Sequence, residues 1–157
     1  MILVLQRVAR AAVRVGAETV AEIGTGLCVL ACALDGDGPQ DIAWLAGKLA
    51  TLRLFEDAEG RTNLSLAQVG GAVLLVPQFT LAADLRQGRR PSFDRAAAPG
   101  AARALLSALS TALVAAGLPV AEGRFGADMS VDLENQGPFT LILDSRDRPG
   151  SAGRTSP

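Results

Sequence analysis

Short apolar runs, each closed by glycine, proline or a polar cluster, fill most of this chain and predict a β-rich fold. Residues 13–15 and 19–23 alternate in polarity around Gly16, which predicts a hairpin. Helical spacing of apolar residues occurs in two stretches, 39–53 and 99–116, and both open at a proline. The other predicted strands are 2–8, 26–34, 72–76, 119–123, 128–134 and 139–143. We therefore expect an α+β fold, with a curved, mostly antiparallel, barrel-like sheet and two main helices.

Length and composition fit a single domain. A chain of 157 residues, 49% of them hydrophobic, can bury one core. We place this domain at residues 1–145 and expect residues 146–157, which are rich in Pro, Gly and Ser, to form a flexible tail. The apolar runs fall short of the ~20 residues of a membrane span, and no basic segment precedes the first apolar residues. We expect a soluble, cytoplasmic protein that makes no membrane contact.

The side-chain inventory excludes several kinds of catalysis. The sequence contains no histidine and no tyrosine, which rules out a histidine-based triad, a histidine-ligated metal and a tyrosine acid. Cys28 and Cys32 lie in a strand-like run, where their Cα atoms would be roughly 13 Å apart, too far for a disulfide. Core packing is the favoured role for both. Chemistry must come from the backbone, carboxylates, hydroxyls, Lys, Arg or the substrate, and we expect neither a metal nor a cofactor.

Gly137 and Pro138 directly precede the apolar run 139–144, which otherwise has the character of a buried strand. Proline removes a hydrogen-bond donor from a sheet and fixes φ, so the pair needs a special position. One interpretation is a turn that opens a strand. The other is a ligand site built from backbone groups.

Three stretches together resemble one family. They are PQFTL at 77–81, GRRPSFDRA at 88–96 and NQGPFT at 135–140. With the opening QRVARAAV, NLSL at 63–66 and GRFGADM at 123–129, they extend the resemblance over about residues 1–145. The chain is similar to the D-aminoacyl-tRNA deacylases, formerly called D-tyrosyl-tRNA deacylases.

The resemblance implies a chiral proofreading hydrolase. Its reaction would cleave the ester between a D-amino acid and the 3′-terminal adenosine of tRNA, and glycyl-tRNA less well. The resemblance also implies a homodimer with active sites at the subunit interface, without metal or cofactor. The ribose 2′-hydroxyl beside the ester would then orient the attacking water, so no side-chain base is required.

Catalytic roles are expected just after Pro77. We place the oxyanion donors in the backbone N–H groups of Phe79 and Thr80. The Thr80 hydroxyl could be a nucleophile, could position water or could be structural. Gln78 could bind the adenosine or ribose, or could stabilise the turn with its amide.

Selection of chirality is expected at Gly137 and Pro138. If their peptide is cis, as the resemblance implies, neighbouring carbonyls can hold the substrate's α-amino group while the backbone blocks an L side chain. The family pattern brings this pair into the partner subunit's pocket. Arg7 could support the Gly-Pro loop or could be a surface arginine. Phe125 and Met129 could line the pocket or could belong to the core.

Four arginines fall in ten residues beside the PQFTL motif. Nearly equal overall numbers of acidic and basic residues, 16 and 15, argue against nonspecific coating of nucleic acid but allow a local basic patch. These arginines could contact phosphates of tRNA, or could pair on the surface with Asp84 or Asp94. They are Arg86, Arg89, Arg90 and Arg95.

Pro77 departs from the family pattern, which usually has serine there. A related branch, which clears misacylated L-alanine from threonine tRNA, also has proline at this position, with alanine at the position of Phe79. Phe79 and Arg7 favour the D-specific branch, whereas Pro77 leaves the other open. A non-catalytic tRNA-binding module with the same fold is a further alternative.

Overall fold

The computed structural model describes residues 1–86 and 88–151. Two helices and eight strands make up the regular structure of these residues. The elements are β1 (Ile2–Val15), β2 (Glu18–Ile23), β3 (Gly26–Cys32), α1 (Pro39–Thr51), β4 (Arg53–Glu56), β5 (Thr62–Ser65), β6 (Ala72–Pro77), α2 (Pro99–Ala115), β7 (Val120–Glu122) and β8 (Ser130–Asp144). Two short 3-10 turns, Phe79–Ala82 and Ser145–Asp147, follow β6 and β8.

The long strand β1 organises the main sheet. One of its edges pairs antiparallel with β3 along residues 2–8 and with β2 along residues 11–15, while β8 runs antiparallel along the other edge. From β3 the sheet continues through parallel pairings to β6 and then β7. Because β2 also contacts β6 and β7, the sheet curls toward a barrel. The structure confirms the predicted α+β class, the mostly antiparallel sheet and the two helices.

Both helices cover one face of this sheet. Helix α1 buries Ile42, Leu45 and Leu49, and α2 buries Leu106, Leu109 and Leu113 against the strand residues of the same core cluster. Each fully buried leucine contributes about 1.5–3 kcal/mol to stability. Gly117, at φ +84°, ends the second helix in a conformation that other residues rarely adopt. Neither helix of the described residues is long and apolar enough to cross a membrane.

The β4–β5 hairpin has no counterpart among the predicted strands. Its two strands have four residues each, and β4 buries only Leu54 and Phe55. The polar sequence around Gly60 indicates a turn, but runs this short carry too little periodicity to predict the strands on either side.

Gly137 and Pro138 do not separate two strands, as we expected, because β8 continues through them. The pairing with β1 shifts register at this point, between the partners of Gln6 and Val8. A bulge on an edge strand is a place where a sheet tolerates proline, because no neighbouring strand needs its missing N–H.

The first residues of the predicted tail contact the domain. The Arg146 guanidinium pairs with Asp144, and Arg148 Nε donates to Asp41 Oδ1 over 3.2 Å. Ser145 is fully buried, and its N–H donates to the Met1 carbonyl over 2.9 Å. These contacts attach residues 145–148 to the domain. Residues 152–157 of the predicted tail lie outside the described residues.

Candidate active site

A cavity of about 690 Å³ opens where β3 and β6 end. Ala31 and Val76 form its floor, Pro99, Ala102 and Leu106 of α2 form one wall, and the segment 125–131 forms another. No charged side chain of the described residues lines it. The cavity therefore suits an uncharged or apolar part of a ligand.

Proline 77 determines how the chain enters this cavity. It is the last residue of β6, and the next N–H, that of Gln78, still donates to the Ala31 carbonyl over 2.8 Å. The chain then turns into the 3-10 segment, where the Leu81 N–H donates to the Gln78 carbonyl over 3.3 Å. Pro77, Gln78 and Phe79 all line the cavity, as expected for the PQFTL motif.

Phe79 and Thr80 occupy the first two positions of the 3-10 turn. The first N–H groups of a helical turn have no partner within it. Among the described residues, no backbone or side-chain acceptor takes a hydrogen bond from either N–H. Both residues are exposed, and Phe79 keeps 57% of its surface accessible. This pair of adjacent donors is available to an oxygen that develops negative charge.

The side chains of the turn hold one another. The Gln78 amide donates to the Thr80 hydroxyl, and the Phe79 ring packs edge-on against Phe93 with 5.1 Å between centroids. An amide N–H cannot accept a proton, so this contact does not activate the Thr80 hydroxyl as a nucleophile. Thr80 itself does not line the cavity.

Cys32 is a cavity residue to which we assigned only core packing. Its thiol donates weakly to the Phe79 carbonyl, with 3.5 Å between sulfur and oxygen. Burial raises the pKa of Cys32 above its ordinary value, so the group is a neutral thiol near pH 7. A neutral thiol is a poor nucleophile, and Cys32 therefore shapes the wall and steadies the turn.

Phe125 and Met129, for which we left a pocket role and a core role open, both line the cavity. Phe93, within the 88–96 motif, and the small residues of α2 were missed. The spacing of Pro99, Ala102 and Leu106 is the signal that could have identified the helix wall, since it places them on one face.

Arg7 lies against the Gly-Pro segment. It is buried, and its Nε donates to the Gln136 carbonyl over 2.9 Å while Nη1 donates to the Leu54 carbonyl over 2.6 Å. Its guanidinium also lies 5.0 Å from the centre of the Phe139 ring. Arg7 thus joins β8 to the β4–β5 hairpin, and it is not a surface arginine.

Gly137 has no room for a side chain beside Arg7. Its φ is +70°, and an added Cβ would lie 2.8 Å from Arg7 Nη2. The Gly137–Pro138 peptide is trans, because the described residues contain no cis peptide bond. This corrects the cis geometry that the resemblance implied. Most X–Pro bonds are trans, because the trans isomer is lower in free energy than the cis isomer by about 0.5–1 kcal/mol.

Within one chain the Gly-Pro pair does not line the cavity. Met129 and Val131 line it, whereas the β8 residues that follow them as far as Gly137 and Pro138 do not. The structure therefore brings together Pro77, Gln78, Phe79, Phe125 and Met129 but does not bring Gly137 and Pro138 to them.

The four loop arginines behave differently from one another. Arg86 forks onto the Asp84 carboxylate, with its Nε at 3.0 Å from Oδ1, and these bonds lower the pKa of Asp84 to about 2. Arg89 and Arg90 are exposed and have no carboxylate partner among the described residues. Arg95 is half-buried, and its Nε has no hydrogen-bond partner there. Surface pairing thus accounts for Arg86 alone.

Comparisons with known proteins agree on one family. The family profile described as D-Tyr-tRNA(Tyr) deacylase matches residues 4–144. D-aminoacyl-tRNA deacylase of Anaeromyxobacter dehalogenans is 54% identical over 91% of this chain and 96% of its own length. The deacylase of the same name from Syntrophotalea carbinolica is 56% identical over 90% of this chain and 95% of its own length.

Solved structures show the same architecture. The c-Myc DNA unwinding element binding protein superposes with a TM-score of 0.85 at 34% identity, over 92% of this chain and 98% of its own. A probable eukaryotic D-amino acid tRNA deacylase superposes with a TM-score of 0.77 at 22% identity, over 90% of this chain and 97% of its own. This likeness supports the fold alone.

Proposed function

The chain belongs to the D-Tyr-tRNA(Tyr) deacylase family, and from this membership we propose that it hydrolyses the ester bond of D-aminoacyl-tRNA. The products would be the free D-amino acid and tRNA. The observation that carries the proposal is the pair of N–H groups of Phe79 and Thr80, which have no acceptor within the described part of the chain and lie beside an apolar cavity.

The two N–H groups are placed to stabilise the oxyanion that forms when water attacks the ester carbonyl. A well-aimed donor of this kind lowers the barrier by about 3 kcal/mol. Among the described residues, the cavity wall has no carboxylate, lysine or arginine, and Cys32 is a neutral thiol. Orientation of the water therefore falls to the substrate's own 2′-hydroxyl, which is adjacent to the ester.

Gln78 supports binding of the terminal adenosine. Its amide lies at the cavity wall and donates to the exposed Thr80 hydroxyl. Exchanging this partner for a ribose or base atom costs little, because the hydroxyl can turn to water.

A homodimer would explain why the Gly-Pro pair does not line the cavity of its own chain. A second subunit would supply Gly137 and Pro138 to the substrate. The sheet face opposite the helices carries a paired row of apolar residues, Ile142, Val4 and Leu30. Ile142 is 71% exposed, which leaves this face suited to a second copy of the chain.

Selection against L-amino acids would then come from backbone. Arg7 holds the carbonyl of Gln136, directly before Gly137, and so fixes the segment that would face the partner's substrate. A rigid backbone leaves room for hydrogen or a D side chain at the substrate's Cα but not for an L side chain. Because glycine has no side chain to exclude, glycyl-tRNA would be cleaved, although less well.

Recognition of tRNA would rely on phosphates. Arg89 and Arg90 are exposed and unpaired among the described residues, and phosphate contacts read no sequence, which suits an enzyme that acts on many tRNAs. Such a substrate places the reaction in the cytoplasm.

Pro77 favours one other function, the removal of L-alanine from threonine tRNA. Its ring replaces a hydroxyl at the cavity wall. The relatives that share 54–56% identity are nevertheless named D-aminoacyl-tRNA deacylases, which supports the D-specific proposal.

The test is deacylation of four matched substrates: D-tyrosyl-tRNA, L-tyrosyl-tRNA, glycyl-tRNA and L-alanyl-tRNA(Thr). We expect rapid cleavage of the first, slower cleavage of glycyl-tRNA and no cleavage of L-tyrosyl-tRNA. Cleavage of L-alanyl-tRNA(Thr) alone would establish the other function. Binding without turnover of any of the four would make the chain a tRNA-binding module.

A further inference from the structure

Arg103 lies beside the cavity. It follows Ala102 in the first turns of α2, where Pro99, Ala102 and Leu106 line the cavity. Its guanidinium carbon lies 4.6 Å from the centre of the Phe125 ring, which also lines the cavity. The exposed side chain therefore contacts a lining residue from outside the cavity.

The charge of Arg103 is available to a ligand. The residue is exposed and has no ion-pair or hydrogen-bond partner among the described residues, unlike Arg86, Arg14 and Arg124, which pair with carboxylates. No charged side chain there lines the cavity. An anionic part of a ligand whose apolar part occupies the cavity would be left outside, at the rim.

We propose that Arg103 binds the phosphate that joins the substrate's terminal adenosine to the preceding nucleotide, an inference that rests on the proposed function. Nucleoside and aminoacyl group occupy the cavity, and the first phosphate remains at its mouth. Stacking on Phe125 restricts the guanidinium, while its N–H edge stays free to fork onto phosphate oxygens. Every aminoacyl-tRNA carries this phosphate, so the contact tolerates any tRNA sequence.

The experiment isolates that single phosphate. Calorimetry measures binding of the stable amide analogue 3′-deoxy-3′-(D-tyrosylamino)adenosine, with and without a 5′-phosphate. We expect the wild type to bind the phosphorylated analogue about 5- to 20-fold more tightly, the range of one charge-assisted hydrogen-bonded contact at an exposed site. Arg103→Gln should abolish this preference, and Arg103→Lys should retain part of it.

Lys48 provides the matched control. It is an exposed cation over an aromatic ring, Trp44, at 5.6 Å on the other helix, and it does not line the cavity. Lys48→Gln removes the same charge and the same kind of contact, so it should keep the full phosphate preference. An equal loss in both variants would show a general effect of net charge and would overturn the proposal.

The remaining outcomes separate this proposal from the proposed function. A wild type without phosphate preference, or an Arg103→Gln variant that keeps it, overturns the role of Arg103 even if D-tyrosyl-tRNA is cleaved. A wild type that shows the preference but cleaves no D-tyrosyl-tRNA overturns the function and leaves the phosphate contact. If free inorganic phosphate added to the unphosphorylated analogue gives the same gain as the linked phosphate, the site is a general anion site and the linked contact is overturned.

Discussion

Replacing Gly137 with alanine tests the packing of Arg7 against the Gly-Pro segment. Two costs are expected. An alanine at φ +70° pays about 1–2 kcal/mol for the left-handed backbone. The new Cβ would also lie 2.8 Å from Arg7 Nη2, and this side chain cannot swing away without breaking its bond to the Gln136 or Leu54 carbonyl, at about 1–1.5 kcal/mol. We expect Gly137→Ala to lower the free energy of unfolding by about 2–3.5 kcal/mol.

Gly16 supplies the control for the backbone cost. Its φ is +60°, and an added Cβ would meet nothing within 4 Å. Gly16→Ala should therefore cost only the first part, about 1–2 kcal/mol. Urea unfolding of both variants at one protein concentration measures the difference, which isolates the collision with Arg7.

The same two glycine variants can be compared in a protein that also carries Arg7→Lys. Lysine lacks the planar guanidinium that meets the new Cβ, so the extra loss of unfolding free energy in Gly137→Ala relative to Gly16→Ala should shrink to a few tenths of a kcal/mol. Equal costs for the two glycine variants in the wild-type background would refute the idea that Arg7 fixes this segment. Assays on D-tyrosyl-tRNA should show Gly137→Ala losing activity while Gly16→Ala keeps it, since only the former alters a surface proposed to face substrate.

Further predictions concern the turn, the loop and its charges. Phe79→Pro removes one proposed oxyanion donor and should lower kcat for D-tyrosyl-tRNA about 100-fold or more relative to Phe79→Ala, which keeps the N–H; equal rates would exclude that donor. The ion pair of Asp84 and Arg86 should stabilise the fold fully at pH values above 3.8, the ordinary pKa of Asp84, and should lose this contribution as the pH falls through about 2. The unfolding midpoints of the wild type and of Asp84→Asn should therefore differ at neutral pH and converge in acid. Replacing both Arg89 and Arg90 with alanine should weaken tRNA binding and reduce the slope of log K against log salt concentration by about 1.5–2. An unchanged slope would show that neither arginine contacts the tRNA.

Much of the fold follows from local patterns in the sequence. Pro39 and Pro99 begin the two helices at the predicted residues, and Gly16 forms the predicted hairpin turn. These features depend on neighbouring residues, whose spacing a sequence displays directly. The β4–β5 hairpin could not be predicted in the same way, because two buried residues in β4 are stabilised by packing against the distant core.

The candidate site shows the same division between local and distant effects. Pro77, Gln78 and Phe79 were identified from a contiguous motif, and the structure places all three on the cavity wall. The trans peptide at Pro138 could not be inferred from the residues, because the small energy difference between isomers of X–Pro is settled by surroundings. Arg103 was missed for a related reason. The sequence shows it as a single charge in an Ala- and Leu-rich helix, and its contact with Phe125 depends on residues that are distant in the chain.

Arg7 connects the proposed selectivity to the stability of the monomer. A buried guanidinium is tolerated only when its N–H groups have acceptors. Arg7 donates to the carbonyls of Gln136, directly before Gly137, and of Leu54, and its Nη2 lies 3.9 Å from the Glu56 carboxylate. The bond to Gln136 is one of the interactions that offset the burial of this charge, and it also fixes the position of the Gly-Pro backbone. A backbone fixed in this way within one subunit is rigid before any partner or substrate arrives, so steric exclusion of an L side chain requires no ordering step on binding. Selectivity and folding would therefore weaken together when Arg7 is altered.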